Sequence, residues 1–117
     1  MPSESFKFAL YDIRDNILLA QRFVEGLTFD SFKDSRLHVY ATTRALEIVS
    51  EASRRLPEDF RDRHGHLPWR SIRDAGNFYR HRYDNVTESY VWETVHVHLG
   101  ALLAVILAEI RALDGEP

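Results

Sequence analysis

No cysteine occurs among the 117 residues of the chain. Disulfide bonds, thiolate zinc sites and cysteine nucleophiles are therefore excluded, and the composition fits a reducing compartment. The N-terminus lacks the apolar segment after basic residues that marks a signal peptide. The longest apolar stretch, around residues 99–108, is shorter than the ~20 residues that cross a bilayer. We therefore expect a soluble, cytoplasmic protein with no membrane partner.

Motifs for several common chemistries are also missing. The chain has no glycine-rich phosphate loop, no Gly-x-Ser-x-Gly and no His-Glu-x-x-His. His64 and His66 form a His-x-His pair, but no carboxylate or third histidine lies at metal-motif spacing beside them. His96 and His98 are two residues apart and face different ways on a helix. We therefore expect no metal ion and no other cofactor.

Lysine is scarce, since Lys7 and Lys33 are the only two. Arginine carries almost all of the basic charge, and six arginines fall between residues 61 and 82, with only two aspartates among them. The net charge of −3 argues against a general nucleic-acid binder. An arginine's planar fork matches phosphate, however, so the local cluster favours phosphate contact. The alternative is that some of these arginines pair with the acidic helices.

The length and a composition of 44% hydrophobic and 28% charged residues predict one globular domain, residues 1–117. No alternating strand pattern occurs, and apolar residues recur every three or four positions. The predicted helices cover residues 5–25, 30–56 with a break near Asp34–Ser35, 68–82 and 87–113, with a loop at 57–68. The expected fold is all-α, an antiparallel up-and-down four-helix bundle.

Two of the predicted helices carry long apolar patterns. The fourth is apolar most of the way round, because Leu103, Val105 and Leu107 lie off its core stripe. That suggests burial on two sides, which a dimer interface would supply. The second has a regular stripe whose alanines allow close approach of another helix. It is formed by Leu37, Ala41, Ala45, Ile48, Ala52 and Leu56.

Residues 70–84 hold most of the side chains suited to chemistry: four arginines, a histidine, an asparagine and two tyrosines. On a helix, Arg73, Asn77 and the Arg80/His81 pair share one face, because they lie three or four residues apart. Such a polar stripe is suited to holding a phosphate and moving protons near it. The alternative is a solvated basic face with a single surface histidine.

Two further residues of the third helix have expected structural roles. Trp69 is expected to anchor the start of the helix in the core. Gly76 lies in its middle, where glycine costs about 1 kcal/mol relative to alanine. A glycine in such a place usually serves close packing or gives access to the backbone.

Three segments of the chain resemble the HEPN superfamily, specifically the HepT-like toxins that are paired with a minimal nucleotidyltransferase antitoxin. These segments are residues 46–56, 67–72 and 76–84. The resemblance covers most of the chain, and the last segment is the most specific. It implies a homodimer whose two motif helices face each other and build one composite cleft. It also implies metal-independent endoribonuclease activity, with tRNA or mRNA as the target.

The family motif is an arginine, four to six residues, a histidine, one residue and a tyrosine, usually with asparagine directly after the arginine. Asn77, His81 and Tyr83 match this pattern, whereas Gly76 stands at the arginine position. The resemblance implies that the antitoxin neutralises the toxin, in some systems by adding AMP to the motif tyrosine. By position that tyrosine is Tyr83.

The residue types suggest a role for each candidate catalytic side chain. RNA supplies its own nucleophile, the 2′-OH, so that cleavage needs proton transfer and charge stabilisation. His81 can take the proton near neutral pH, and Arg80 or Arg73 would neutralise the pentavalent phosphorane. Asn77 would orient the phosphate or fix the ring of His81. The expected RNA-binding residues are Arg70, Arg73, Arg80 and Arg82.

Gly76 also supports an alternative function. Without the motif arginine, the dimer would bind RNA or a nucleotide without cleaving it, or would only dock the nucleotidyltransferase. The retained Asn77, His81 and Tyr83 favour the enzyme.

Overall fold

The computed structural model of the chain describes residues 3–81 and 85–115, without the side chains of residues 77–81, 85 and 86. Within these residues the chain is all-helical and contains no strand. The α-helices are α1 (Glu4–Phe23), α2 (Phe29–Lys33), α3 (Arg36–Ser53), α4 (Glu58–Arg63), α5 (Trp69–His81), α6 (Asn85–Glu93) and α7 (Leu99–Leu113). A π-helical turn, Thr94–His98, joins α6 to α7. The prediction of a helical bundle of the HEPN type is confirmed.

The bundle is built around α1. This helix packs against α3 on one side and against α7 on another, and α3 in turn packs against α5. Leu10, Ile13 and Ile17 of α1 and Ile106 of α7 are buried at this junction. Full burial of each such side chain stabilises the fold by about 1.5–3 kcal/mol relative to its exposure.

Side-chain caps set the helix boundaries near the N-terminal end. Thr28 and Ser31 form a reciprocal capping box at the start of α2. The Ser35 hydroxyl accepts from the backbone nitrogen of His38 at the start of α3. The predicted break near Asp34–Ser35 is confirmed, because Ser35 caps a new helix there. Gly26 has a φ of 77° between α1 and α2, a conformation that favours glycine.

The segment predicted as the loop 57–68 contains the short helix α4, so that prediction was wrong in part. Pro57 precedes the helix, Glu58 and Asp59 lie in its first turn, and its last turn holds basic residues. This charge order suits the helix dipole. Phe60 is fully buried against the rings of Phe6 and Trp69.

The regular stripe of the second helix is only partly buried. Leu37 is 74% exposed, and Ala41 and Ile48 are only half-buried. The apolar pattern alone does not identify the buried face of this helix, because small polar residues belong to that face. The buried residues of α3 are Val39, Thr42, Ala45, Leu46, Val49, Ser50, Ala52 and Ser53.

The last predicted helix is observed as α6, the π-helical turn and α7 in one continuous rod. Its core stripe is confirmed, with Val91, Leu99 and Ile110 among its buried residues. By length and composition, the part from Thr87 to Leu113 is apolar enough to cross a membrane, although the apolar stretch at 99–108 alone is not. In the fold, α7 packs on α1, and 33% of the most apolar window of this span is buried.

Candidate active site on helix α5

Helix α5 is held in the bundle at its first turn. Trp69 is 8% exposed, and its indole Nε1 donates to the backbone oxygen of His64 at 3.0 Å. Ile72 and Ala75 pack against the core on the same side of the helix. The prediction that Trp69 anchors this helix is confirmed.

The middle of α5 is joined to α3 by hydrogen bonds to its backbone. Ser50 of α3 is 2% exposed, and its hydroxyl accepts from the Gly76 nitrogen at 3.0 Å. The same hydroxyl donates to the backbone oxygen of Arg73 at 3.0 Å. Gly76 is itself buried. Backbone access, one of the two roles expected for this glycine, is therefore observed.

A second residue of α3 reaches the same carbonyl. The Arg54 guanidinium donates to the Arg73 oxygen through both Nε, at 3.1 Å, and Nη2, at 2.8 Å. Three donor groups of α3 thus converge on one carbonyl of α5. The sequence did not predict a role for Ser50 or Arg54 at this site. The available signal was a pair of serines, Ser50 and Ser53, in a stripe that otherwise reads as core.

Arg73 combines partial burial with a lack of partners in the described part of the chain. Its side chain is half-buried, and its Nε is buried with no hydrogen-bond partner among the described residues. By contrast, Arg70 and Asp74 are exposed. Of the two arginines of α5 whose side chains are described, Arg73 is therefore the one that is partly desolvated. Desolvation strengthens the interaction of such a group with a phosphate.

The remaining predicted catalytic residues follow Arg73 along α5. The helix is continuous through His81, so position 77 lies about one turn after position 73, and positions 80 and 81 lie about one turn after position 77. The side chains of Asn77, Arg80 and His81 are not described. Arg82 and Tyr83 lie outside the described residues. The catalytic, RNA-binding and modification roles of these residues stay predictions.

Part of the arginine cluster serves the fold, as the alternative interpretation of that cluster allowed. Arg63 of α4 forms an ion pair with Glu109 of α7, with Nη1 and Oε1 2.8 Å apart. His64 Nε2 lies 2.7 Å from the same oxygen. Glu109 is 15% exposed in its side chain, so that α4 is tied to the end of α7 in a partly desolvated place.

The histidines do not form a metal centre within the described residues. No group of three potential ligands (His, Cys, Asp or Glu) comes together there. The rings of His64 and His66 lie 6.3 Å apart in an edge-on contact. His96 instead packs on the Trp92 ring at 4.0 Å.

A cavity of about 500 Å³ opens between α3, the first half of α5 and the long rod. Val49, Ile72, Ala75 and Leu102 contribute to its apolar lining. Polar residues at its edge include His66, Glu93 and His98, and His98 Nε2 lies 3.7 Å from Glu93 Oε1. The inner side of α5 is therefore covered by α3 but not by the rod.

The described chain is an all-helical bundle in which the arginine-rich helix α5 packs on α3. This architecture is that of a known class of helical proteins. The family described as ribonuclease HepT-like matches residues 13–109. The chain belongs to this family, which is part of the HEPN superfamily. The resemblance to the HepT-like family that was noted in the sequence is therefore confirmed.

Individual relatives agree with that assignment. The chain is 34% identical over 98 residues to "Probable ribonuclease HepT" of Thermococcus cleftensis, which covers 84% of the chain and 89% of the relative. It is 28% identical over 116 residues to "Putative RNase MJ0127" of Methanocaldococcus jannaschii, with 99% and 96% of the two chains covered. It is 35% identical over 72 residues to "Putative RNase TTE0752" of Caldanaerobacter subterraneus, with 62% and 64% covered. No solved structure matches the chain.

Proposed function

We propose that the chain is a metal-independent endoribonuclease that acts as the toxin of a toxin–antitoxin pair in the cytoplasm. Its substrate is tRNA or mRNA, and its antitoxin is a minimal nucleotidyltransferase. The proposal is supported mainly by helix α5 in a chain of the HepT-like family. This helix is continuous from Arg73, whose Nε is buried, to the predicted motif positions 77–81.

The proposed reaction is attack of the RNA 2′-OH on the adjacent phosphorus. His81 removes the proton from the 2′-OH, and the 5′-oxygen of the next nucleotide leaves with a proton from a second acid. The products are a 2′,3′-cyclic phosphate and a free 5′-OH. Asn77 orients the phosphate, and Arg73 or Arg80 stabilises the negative charge of the phosphorane. Arg70 and Arg82 bind neighbouring phosphates.

Arg73 has the better structural support as the charge-stabilising residue. It forms no ion pair with any described acidic side chain. Its backbone is held at the oxygen by Ser50 and Arg54. A cation that is already partly desolvated and fixed at its backbone needs little rearrangement when a phosphate arrives.

A homodimer would supply the second acid, the His81 of the other subunit. The exposed side of the long rod supports such an assembly. Val97 is 65% exposed, and Ala101, Ala104 and Ala108 continue one exposed stripe of small apolar residues along α7. Small residues allow a second helix to approach closely, and a contiguous apolar face of a soluble protein is usually covered.

The proposed neutralisation acts on Tyr83, two residues after His81. Transfer of AMP to its hydroxyl would add a bulky anionic group beside the cleft, where it would repel and block an RNA phosphate. The nucleotidyltransferase is the proposed donor enzyme and the binding partner of the toxin.

A second candidate function has its own supporting observation. Gly76 offers no side chain at the motif arginine position, and its backbone nitrogen is already bound by Ser50. In this alternative the dimer binds RNA or a nucleotide, or docks the nucleotidyltransferase, without cleaving RNA.

Cleavage of total tRNA in EDTA by the purified chain separates the two functions, with His81→Ala as the matched variant. The nuclease predicts cutting by the wild type alone. No cutting by protein whose intact mass shows no added AMP would favour the binding module. A mass increase equal to AMP would show that the sample was the neutralised form and must be prepared without the nucleotidyltransferase.

A further inference from the structure

We infer that Ser50 and Arg54 are positioning residues for the site on α5, a role that deepens the proposed nuclease function and rests on it. Neither belongs to the motif, and both lie on α3. They act on the backbone of α5 at Arg73 and Gly76, immediately before the motif positions 77–81. Through that contact they fix where the motif stands relative to the bundle.

Ser50 makes two bonds of opposite direction to α5. Its hydroxyl accepts from the Gly76 nitrogen and donates to the Arg73 oxygen, both at 3.0 Å. Because one oxygen atom satisfies a donor and an acceptor three residues apart, α5 cannot slide or turn on α3 without losing at least one bond. The Ser50 side chain is 2% exposed, so a hydroxyl that lost one of these bonds would be left partly unpaired in a desolvated place, which costs about 1–3 kcal/mol.

Arg54 adds hydrogen bonds from a charged group to the same carbonyl. Its two bonds to the Arg73 oxygen, at 3.1 and 2.8 Å, come from an exposed guanidinium. The carbonyl of residue i in an α-helix faces the nitrogen of residue i+4. The guanidinium therefore acts at the carbonyl that faces the backbone nitrogen of Asn77, one turn further along α5.

The packing of α5 explains why the bonds from Ser50 and Arg54 matter for the position of the motif. Among the described elements, α3 is the main partner of α5, and the side toward the rod opens into the cavity described above. The first turn is anchored by Trp69, two turns before Gly76. The bonds from Ser50 and Arg54 are the polar contacts nearest to the motif in the described part of the chain. A misplacement of about 1 Å in a cleft can lower the rate about 100-fold.

Two neighbouring residues of α3 offer matched controls. Ser53 is as buried as Ser50 and donates to the Ser50 backbone oxygen at 2.6 Å, within its own helix. Arg55 follows Arg54 directly but pairs with Asp12 of α1 at 2.6 Å. Both controls remove the same chemical groups as the test variants without touching α5.

The kinetic test measures kcat and KM for RNA cleavage by Ser50→Ala, Ser53→Ala, Arg54→Ala, Arg54→Lys and Arg55→Ala. We expect Ser50→Ala and Arg54→Ala to lower kcat at least tenfold with KM changed less than about twofold, as for loss of an interaction that matters only in the transition state. Arg54→Lys should recover part of kcat, because lysine keeps a donor for the carbonyl. Equal effects of Ser50→Ala and Ser53→Ala would overturn the inference. A rise in KM with unchanged kcat for Arg54→Ala would instead make Arg54 an RNA contact.

Hydrogen exchange gives a readout that does not depend on cleavage. In Ser50→Ala, amides 76–81 should exchange about tenfold faster than in the wild type, because two bonds to α5 are lost. In Ser53→Ala these amides should keep their wild-type rates. If the wild type cleaves no RNA, the nuclease proposal fails, while faster exchange in Ser50→Ala alone would still support the positioning role. Equal exchange in the two serine variants would overturn it even in an active enzyme.

Discussion

The backbone nitrogen of Gly76 and the hydroxyl of Ser50 are joined by a 3.0 Å hydrogen bond across the interface of α3 and α5. Gly76 is buried in that interface. Position 76 is also where the sequence lacks the arginine of the family motif. The glycine is thus buried where its backbone contacts α3, and a side chain as large as arginine would have to be accommodated beside that contact.

Gly76→Arg is therefore expected to damage the fold and leave the enzyme no more active. Overpacking a well-packed site costs about 1–3 kcal/mol, which urea denaturation would detect. Ser71→Arg is the control, since Ser71 is exposed on the same helix and its replacement should change stability by less than about 0.5 kcal/mol. Faster RNA cleavage by a stable Gly76→Arg protein would show that position 76 faces the cleft.

Two leucines of α3 should respond very differently to truncation. Leu46 is 2% exposed and Leu37 is 74% exposed. Leu46→Ala should lower the free energy of unfolding by about 2–5 kcal/mol, because it leaves a cavity in the core. Leu37→Ala should change it by less than about 0.5 kcal/mol. A large loss on truncating Leu37 in a monomeric sample would contradict its exposed position.

The tie between α4 and α7 predicts a stabilising role for Glu109. This carboxylate takes contacts from both Arg63 and His64 and has 15% exposure. Glu109→Ala should cost about 1–3 kcal/mol, since it leaves His64, whose side chain is 20% exposed, and the more exposed Arg63 without their partner. Asp12→Ala breaks the more exposed pair with Arg55 and should cost at most about 1 kcal/mol. Chemical denaturation of the two variants side by side would rank them, and a larger loss for Asp12→Ala would contradict this account.

The proposed dimer predicts that a charge on the exposed stripe of α7 separates the subunits. Ala104→Glu should convert a dimer to a monomer in light scattering while the helical circular dichroism is kept, because a buried unpaired carboxylate is costly at an interface. Phe8→Glu is the control on α1, where Phe8 is 54% exposed. Dissociation by Phe8→Glu but not by Ala104→Glu would place the interface on α1 instead.

Much of the helical layout follows from the sequence because apolar periodicity and caps are local signals. The long rod, the break before Ser35 and the anchoring of Trp69 were all predicted in this way. Helix α4 was missed because it is short and lies between two prolines in a polar stretch. Its stability depends on the burial of Phe60 against distant rings, which no local pattern reveals.

The candidate site was only partly predictable for a related reason. The motif positions on α5 are local in sequence and could be identified from residue types and resemblance. Ser50 and Arg54 act across a helix interface at separations of 19 to 26 residues. In one sequence a buried serine in an apolar stripe looks like a neutral small residue. Only the packed structure shows that its hydroxyl meets a backbone donor and acceptor.

The most direct test of the nuclease is the rate at which the purified chain forms 2′,3′-cyclic phosphate ends on tRNA in EDTA, compared with His81→Ala. The account predicts measurable product from the wild type and a rate about 10²–10⁴ lower in the variant, the usual contribution of a general base. The protein must carry no AMP by intact mass. Equal rates for the two proteins, or no product from unmodified wild type, would contradict the assignment of cleavage to this site.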